Sequence, residues 1–225
     1  NRPITIEFPD PRMVETMIVY GDSRSGNCYK IALLAHHLGV TLDWREVDVL
    51  SGATKTDWFR AINPLGKLPA VELRDGTRLA ESNAVLCYLA DNTAWWPTNP
   101  VSRAKVLQWM FWEQYSHEPY IATVRFWVTL SGQAAAFEHQ IAERRPQGER
   151  ALTCMDRHLA NRDWFVGDQP SIADIALYAY THVAHEGGFD MSVFPAIGIW
   201  LDRLSGLPSH RPMQAPSRPW QPPAS

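Results

Sequence analysis

A strand, a turn-rich loop and an apolar-faced helix follow one another early in the chain, and this order most restricts the possible folds. β-prone residues occupy 16–20, and turn formers fill the loop 21–26. Apolar residues then recur at helical spacing until Gly39, which ends the helix, and 42–49 alternates as a second strand. Strands joined through a helix are parallel with a right-handed crossover. The sequence therefore predicts an opening β-α-β unit.

The following segment extends this unit with elements separated by turn signals. Asp75-Gly76 is a strong hairpin turn between two short β-prone runs. The further predicted elements are a short helix at 54–62, strands at 70–73 and 77–80, and a helix at 82–91. The complete order, β-α-β-α-β-β-α, is the thioredoxin-like arrangement.

Beyond the proline-bounded run 95–100 the pattern is helical as far as about residue 205. The predicted helices lie at 102–130, 134–160, 172–185 and 194–204. The fold class is therefore α/β plus all-α, with a thioredoxin-like N-terminal domain followed by an all-helical C-terminal domain. The predicted parts are an irregular arm at 1–15, the thioredoxin-like domain at 16–94, a linker at 95–101, the helical domain at 102–208 and a proline-rich tail at 209–225.

Charge and hydropathy argue against several classes of partner. The 21 Lys and Arg residues against 24 Asp and Glu leave a net charge of −3, with no basic surplus to attract nucleic acid. No apolar run approaches the ~20 residues that span a membrane. Cys28, Cys87 and Cys154 form no C-x-x-C pair, which fits a reducing cytoplasm better than a disulfide framework. His182 and His185 lack a third ligand at a defined spacing, so we expect no metal.

Four short motifs occur in a fixed order along the chain. The run 63–69 reads N-P-L-G-K-L-P and 81–89 reads E-S-N-A-V-L-C-Y-L, whereas 164–167 reads W-F-V-G and 171–176 reads S-I-A-D-I-A. In order and spacing they resemble the cytosolic glutathione S-transferase superfamily, in its bacterial-type classes that use serine, cysteine or asparagine. The resemblance spans 17–207, and several motifs in the right order argue against a chance match.

The resemblance implies a glutathione site at the tip of the thioredoxin-like domain. It implies that the peptide bond before Pro69 is cis and that the Leu68 N–H and C=O pair with the cysteinyl part of glutathione. It also implies that Ser82 binds the γ-glutamyl carboxylate at a helix N-terminus, that Glu81 binds the amino group, and that Lys67 reaches a carboxylate. Taken alone, these residues would make only a tight turn and a helix N-cap.

The group that activates the thiol should lie between the first strand and the first helix. Lowering a thiol pKa by ~2 units takes ~2.7 kcal/mol, which one or two hydrogen bonds to the thiolate supply. Ser23, Ser25, Asn27 and Cys28 all lie there. We favour Ser25 as the catalytic residue and Asn27 as the second choice. Cys28 would form a mixed disulfide in a cysteine-using enzyme, but its place on the apolar helix face favours a buried thiol, and Tyr20 is expected in the core.

The electrophile is expected between the domains, against the long aromatic helix. We select Tyr115 and Tyr120 for that wall, with His117 and Arg125 as further candidates. The alternative is that this aromatic stripe packs in the core.

The resemblance implies glutathione S-transferase activity, in which the thiolate of glutathione, the co-substrate, attacks a small hydrophobic electrophile. Two alternatives remain open: a glutathione-dependent disulfide-bond reductase or peroxidase of the same fold, and a non-catalytic adaptor. The same resemblance implies a homodimer, in which the N-terminal domain of one subunit faces the helical domain of the other.

Overall fold

The computed structural model describes residues 16–215 and residue 220. The predicted N-terminal arm at 1–15 lies outside the described residues, as do 216–219 and 221–225 of the proline-rich tail. Within the described part of the chain, every helix is too short or too polar to cross a lipid bilayer.

Four strands form one mixed sheet in the order β2-β1-β3-β4. They are β1 (Met17–Gly21), β2 (Leu42–Glu46), β3 (Ala70–Glu72) and β4 (Arg78–Ala80). β1 and β2 are parallel, with Val19 opposite Trp44, whereas β3 is antiparallel to β1 and to β4. The order of elements along the chain and the parallel pairing of β1 with β2 confirm the prediction. β2 ends before the predicted limit because the Asp48 side chain accepts a hydrogen bond from the Leu50 N–H and caps a 3-10 turn.

Helices cover both faces of the sheet. They are α1 (Gly26–Leu38), α2 (Asp57–Ile62) and α3 (Ser82–Ala90). Val19 packs with Ile31 of α1 and Val85 of α3 in the main core, while its neighbour Tyr20 packs with Phe59 of α2. Successive strand residues point to opposite faces of a sheet, so α2 lies on the face away from α1 and α3.

The second half of the described chain is helical. Its α-helices are α4 (Pro100–Trp112), α5 (Glu118–Arg125), α6 (Glu138–Leu159), α7 (Ile172–Thr181) and α8 (Pro195–Ser205). α7 is buried along its whole length. Its buried Asp174 accepts hydrogen bonds from the Ser171 N–H at 2.8 Å and from the Trp200 indole at 3.1 Å, which ties the start of α7 to α8.

The predicted helix at 102–130 is continuous but irregular. It begins at Pro100, with the Asn99 side chain accepting hydrogen bonds from the first free N–H groups. Two π-helical segments, Glu113–His117 and Phe126–Leu130, interrupt the α-helical pattern. In a π turn each N–H bonds to the carbonyl five residues back, so each segment changes which side chains share a face.

Candidate functional site

Two adjoining cavities lie between the sheet half of the chain and the helical half. The larger, of about 270 Å³, is lined by Asp22, Ser25, Asn27, Val49, Thr54, Gly66, Lys67 and Leu68 and by the helical residues Ala122, Arg125, Phe126, Leu130 and Tyr180. The smaller, of about 90 Å³, is lined by Asn27, Asn63, Lys67, Leu68, Pro69, Glu81, Ser82, Gln114 and Glu118. Asn27, Lys67 and Leu68 line both cavities, which together we call the cleft. Every residue predicted to contact glutathione lines the cleft.

The loop before β3 presents its backbone to the cleft. The Leu68–Pro69 peptide bond is cis, as the resemblance implied. The Asn63 side chain holds the loop, donating to the Lys67 carbonyl at 2.7 Å and accepting from the Leu65 N–H at 3.1 Å. Within the described residues no backbone group accepts from the Leu68 N–H. This donor is therefore available to an extended peptide in the cleft.

The start of α3 supplies a second set of free donors. Ser82 is the first helical residue and is buried, while the N-cap position belongs to the exposed Glu81, whose φ of 65° is positive. Ser82 is thus not the N-cap that it would be in the simplest interpretation of the sequence. The Ser82 hydroxyl donates to Asn27 Oδ1 at 3.0 Å. Unpaired N–H groups at a helix start favour a ligand carboxylate here.

The structure separates the candidate hydroxyls of the loop after β1. Ser25 caps α1, where its oxygen accepts from the Cys28 N–H at 3.4 Å, and it lines the larger cavity. Ser23 instead donates to Glu46 Oε2 at 2.5 Å and lines a separate cavity beside β2. Ser25 still has its own proton to donate, because capping uses only an oxygen lone pair.

Asn27, the second choice for thiol activation, has its polar groups engaged. Its Nδ2 donates to Glu118 Oε1 at 2.8 Å, its Oδ1 accepts from Ser82, and its backbone N–H lies 3.3 Å from the Tyr180 hydroxyl. The side chain therefore connects the start of α3 to the helical half of the chain. Its amide is occupied there rather than left free for a sulfur atom.

Cys28 is fully buried, and burial raises the pKa of its thiol to about 12. A thiol in that state is a poor nucleophile. The structure therefore favours the buried-thiol interpretation of Cys28 over the mixed-disulfide one. Tyr20 is 4% exposed and lies in the core as expected.

A buried ion pair behind the cleft was missed by the sequence analysis. Lys30 of α1 and Glu113 are both 0% exposed, and Lys30 Nζ lies 3.0 Å from both Glu113 carboxylate oxygens. The same ammonium lies 3.9 Å from Glu118. The π segment makes this possible, because the Glu118 N–H bonds to the Glu113 carbonyl and brings the two glutamates to adjacent turns. The available sequence signal was a lysine next to Ile31, within the apolar spacing of the predicted helix.

Glu118 forms part of the wall of the smaller cavity. Its Oε2 accepts from the Gln114 amide, so both carboxylate oxygens are hydrogen-bonded to neighbouring amides. Burial, together with the Glu113 carboxylate, raises the pKa of Glu118, and Lys30 opposes that shift. Two acidic groups therefore share one buried lysine.

The two tyrosines predicted for the electrophile wall lie outside the two cavities of the cleft. Tyr115 is 83% exposed, and neither Tyr115 nor Tyr120 is among the residues that line the cleft. The helical wall is built instead from Ala122, Phe126, Leu130 and Tyr180, with Arg125 beside them. Arg125 is 4% exposed, donates to the Arg24 carbonyl at 2.7 Å and pairs with Glu186 at 2.7 Å.

His117, a further candidate for that wall, is buried away from the cleft. Its Nε2 lies 2.9 Å from the Thr181 hydroxyl. Burial, with the nearby Lys30 charge, lowers the pKa of His117 to about 3. Among the described residues no group of His, Cys, Asp and Glu side chains has the arrangement of a metal site.

The neutral His117 should make the protein sensitive to acid. In the unfolded chain a histidine binds a proton near pH 6.5, so stability present above that pH falls as the pH drops toward the folded value of about 3. At about pH 5 this one group should cost about 2 kcal/mol of unfolding free energy. Urea unfolding at about pH 7.5 and pH 5 measures the loss, which His117→Asn should reduce by that amount. An equal pH dependence in both proteins would contradict this assignment.

The tail after α8 returns to the sheet half of the chain. The Tyr29 hydroxyl donates to the Arg211 carbonyl at 2.5 Å. The Trp220 N–H donates to the Glu46 carbonyl at 2.7 Å, and its ring lies 5.6 Å from that of Tyr20 and 5.5 Å from that of Trp58. The described part of the tail is therefore anchored by specific contacts.

Comparison with known protein families gives two matches along the chain. The family described as glutathione S-transferase, N-terminal domain, matches residues 24–92. The family described as glutathione S-transferase, C-terminal domain, matches 117–208. The two matched regions contain all of the cleft residues except Asp22 and Gln114.

Three individual proteins are similar to this chain. A crystal structure of a glutathione S-transferase from Pseudomonas fluorescens is 50% identical with a TM-score of 0.86, covering 88% of this chain and 99% of that one. The disulfide-bond oxidoreductase YfcG of Escherichia coli is 28% identical, covering 81% of this chain and 87% of that protein. Elongation factor 1-gamma of Artemia salina is 32% identical over 70% of this chain, which spans only 37% of that protein.

Proposed function

Since this chain belongs to the glutathione S-transferase superfamily, we propose that it binds glutathione in the cleft and activates the glutathione thiol for transfer to a small electrophile. The proposal rests on one observation: three groups that can bind glutathione line the same cleft. These groups are the free backbone of Leu68, the start of α3 at Ser82 and the Ser25 hydroxyl at the start of α1.

In this proposal each part of glutathione contacts a different one of these groups. The backbone of its cysteine pairs with Leu68 in the manner of an added strand, which uses the N–H that no other backbone group occupies. The γ-glutamyl carboxylate lies at the N-terminus of α3, where unpaired N–H groups and the helix dipole favour an anion. The sulfur then points toward the larger cavity, whose apolar wall includes Phe126 and Leu130.

Ser25 is the group that activates the sulfur in this proposal. Its hydroxyl donates a hydrogen bond to the thiolate, and the N-terminus of α1 adds its positive potential. The thiolate then attacks the electrophilic carbon, a carbon–sulfur bond forms, and the leaving group departs with its electron pair. Arg125 lines the same cavity, and its guanidinium is paired there with Glu186.

Thiol–disulfide exchange is the second candidate, because a bound glutathione thiolate can attack a disulfide sulfur as well as a carbon atom. In that reaction the bound glutathione thiolate attacks a mixed disulfide, a new glutathione disulfide forms, and the other thiol leaves. The 28% identity to the disulfide-bond oxidoreductase YfcG of Escherichia coli supports this reaction.

Calorimetric titration with glutathione at millimolar concentration tests binding. Binding is expected, and its absence would remove both enzymatic proposals and leave the adaptor alternative. Turnover of a chlorodinitrobenzene-type electrophile is then compared with reduction of a small glutathione mixed disulfide. Faster conjugation supports the transferase, whereas exchange without conjugation supports the second candidate.

A homodimer is the assembly we propose for this chain. Large apolar side chains lie exposed along α3 and the helix that begins at α4: Tyr88 is 47%, Val101 64%, Phe111 70% and Tyr115 83% exposed. Exposed apolar surface of this kind marks an interaction site. Tyr115 therefore belongs to this surface rather than to the electrophile wall.

Phe111→Glu should convert the dimer into a monomer. A carboxylate placed in an apolar interface loses its water without gaining a partner. Light scattering coupled to size exclusion should give half the wild-type mass at micromolar concentration. The matched control is Glu149→Gln on the exposed side of α6, which should stay dimeric. A wild-type protein that is itself monomeric, or a dimeric F111E, would refute this interface.

A further inference from the structure

Arg125, the last residue of α5, links the helical half of the chain to the loop that carries Ser25. Its side chain is 5% exposed, and its Nη1 donates to the Arg24 carbonyl oxygen at 2.7 Å. Its Nε donates to Glu186 Oε2, also at 2.7 Å, and its Nη2 lies 3.9 Å from the Met213 sulfur. Each nitrogen of this buried guanidinium therefore faces a partner, and the partners belong to three separate segments of the chain.

The peptide group between Arg24 and Ser25 is fixed at both of its polar ends. Its N–H, which belongs to Ser25, donates to the Asp22 carbonyl at 2.9 Å, and its C=O accepts from Arg125. The two bonds lie on opposite sides of a planar group, so together they fix the rotation of that plane. Beyond it, the Ser25 carbonyl accepts from the Tyr29 N–H at 2.9 Å. The direction in which Ser25 projects its side chain is thereby set.

The sheet half of the chain holds the opposite side of this loop. Asp22 is completely buried, and its carboxylate accepts from the backbone N–H and the guanidinium of Arg24 and from the Val49 N–H. The Arg24 carbonyl faces the helical half instead, where Arg125 is its donor. The position of Ser25 therefore depends on contacts from both halves of the chain.

Glu186 and Gly187 hold the Arg125 guanidinium in place. A Cβ atom on Gly187 would lie 3.2 Å from the Arg125 backbone nitrogen, so glycine allows this segment to pack directly on α5. From there Glu186 reaches Nε, and its negative charge offsets that of the guanidinium. A pair of opposite charges exerts a much weaker field at a distance than a lone cation. The arrangement suits a side chain that holds the backbone rather than one that supplies charge to the cavity.

We propose that Arg125 is the positioning residue for Ser25: its bond to the Arg24 carbonyl holds the Ser25 hydroxyl toward the sulfur of bound glutathione. The inference rests on the proposed function and adds a residue on which thiol activation depends. Peptide binding depends on Leu68 and Ser82, at other points of the cleft. Activation and binding should therefore be separable by substitution.

Arg125→Lys tests this separation, because lysine keeps the positive charge but lacks the planar set of donors. The pKa of the bound glutathione thiol, followed by ultraviolet absorbance, should rise by about 1 unit, as for partial loss of a hydrogen bond to a thiolate. Affinity for S-methylglutathione, which has no thiol to ionise, should change by less than about twofold. Arg145→Lys is the matched control and should keep the wild-type pKa, since Arg145 also donates to two backbone carbonyls, of Gly187 and Gly188, but does not line the cleft.

A double variant shows whether Arg125 acts through Ser25. When Ser25 is already alanine, Arg125→Lys should raise the thiol pKa no further, because two residues that act as a unit give non-additive effects. Additive shifts would mean that Arg125 acts on the sulfur directly, and they would overturn the inference.

The outcomes separate this inference from the function on which it rests. A wild-type thiol pKa in R125K overturns the inference, since charge alone would then suffice. A tenfold loss of S-methylglutathione affinity in R125K assigns Arg125 a structural role and overturns it as well. If wild-type protein binds no glutathione, or binds it without lowering its thiol pKa, the proposed function itself is wrong. A wild-type pKa in S25A alone removes Ser25 from both.

Glu186→Ala decides the question if R125K does not fold. It leaves Arg125 in place but removes the carboxylate that orients its guanidinium. Loss of that orientation should raise the thiol pKa, whereas a direct effect of charge would lower it, because a negative charge has been removed. A lowered or unchanged pKa in E186A would overturn the inference.

Discussion

Replacing Lys30 with methionine should lower the free energy of unfolding by about 3–5 kcal/mol. Lys30 and Glu113 are both completely buried, with their charged groups 3.0 Å apart. Removing the ammonium leaves the Glu113 carboxylate without its counter-ion in a place that water does not reach. The remaining bonds to Glu113, from the Asn83 and Gln114 amides, are too weak to replace a charge.

Urea unfolding of the Lys30→Met protein measures this loss, and Lys55→Met at an exposed position is the matched control. The control should change the unfolding free energy by less than about 0.5 kcal/mol. A Lys30→Met, Glu113→Leu double variant should recover much of the loss, because no unpaired charge remains. If K30M were as stable as K55M, the ion pair would contribute nothing to the fold.

Ser25→Ala should reduce the conjugation rate, as kcat/KM, by about 10–100-fold. Loss of one hydrogen bond to a thiolate costs about 1.5–3 kcal/mol, which is about 1–2 units of thiol pKa. The ultraviolet absorbance of bound thiolate, followed against pH, measures that shift directly. Removing the α1 cap should also cost about 1 kcal/mol of stability, so both assays must be made well below the unfolding temperature.

Ser23→Ala is the matched control for this experiment. Ser23 lies two residues away in the same loop, but its hydroxyl donates to Glu46 and faces a different cavity. Its removal should leave the bound thiol pKa unchanged. An unchanged pKa in Ser25→Ala would instead assign activation to the N-terminus of α1, since the Asn27 amide is occupied by Ser82 and Glu118.

The fold could be predicted from the sequence because the sequence signals for its elements are local. The strand-loop-helix opening, the stop at Gly39 and the turn at Asp75-Gly76 all depend on residues close together in the chain. The side of the cleft formed by the loop before β3 and the start of α3 could be predicted for the same reason, since Leu68 and Ser82 lie in compact motifs. Both residues line the smaller cavity of the cleft.

The helical wall of the cleft could not be predicted in the same way. Its side chains are positioned by a π-helical segment, which residue types do not indicate. α-helical spacing across Glu113–His117 assigns side chains to the wrong faces, because the π segment adds a residue to the turn. Tyr115, which we selected for the cleft from the sequence, is exposed, whereas Glu118 at the end of the π segment lines the smaller cavity. The choice between Ser23 and Ser25 likewise needed the position of Glu46, on a strand far from that loop in sequence.

The anchor at Trp220 has a consequence for the order in which the chain is made. The aromatic rings of Tyr20 and Trp58 belong to early elements, but the ring that packs against them is made after the entire helical half. At about 5–20 residues per second, translation takes several seconds or more to reach it. During that interval the apolar face beneath α2 stays open to water and to chaperones. The N-terminal domain is therefore among the first parts of the nascent protein to fold and among the last to be covered.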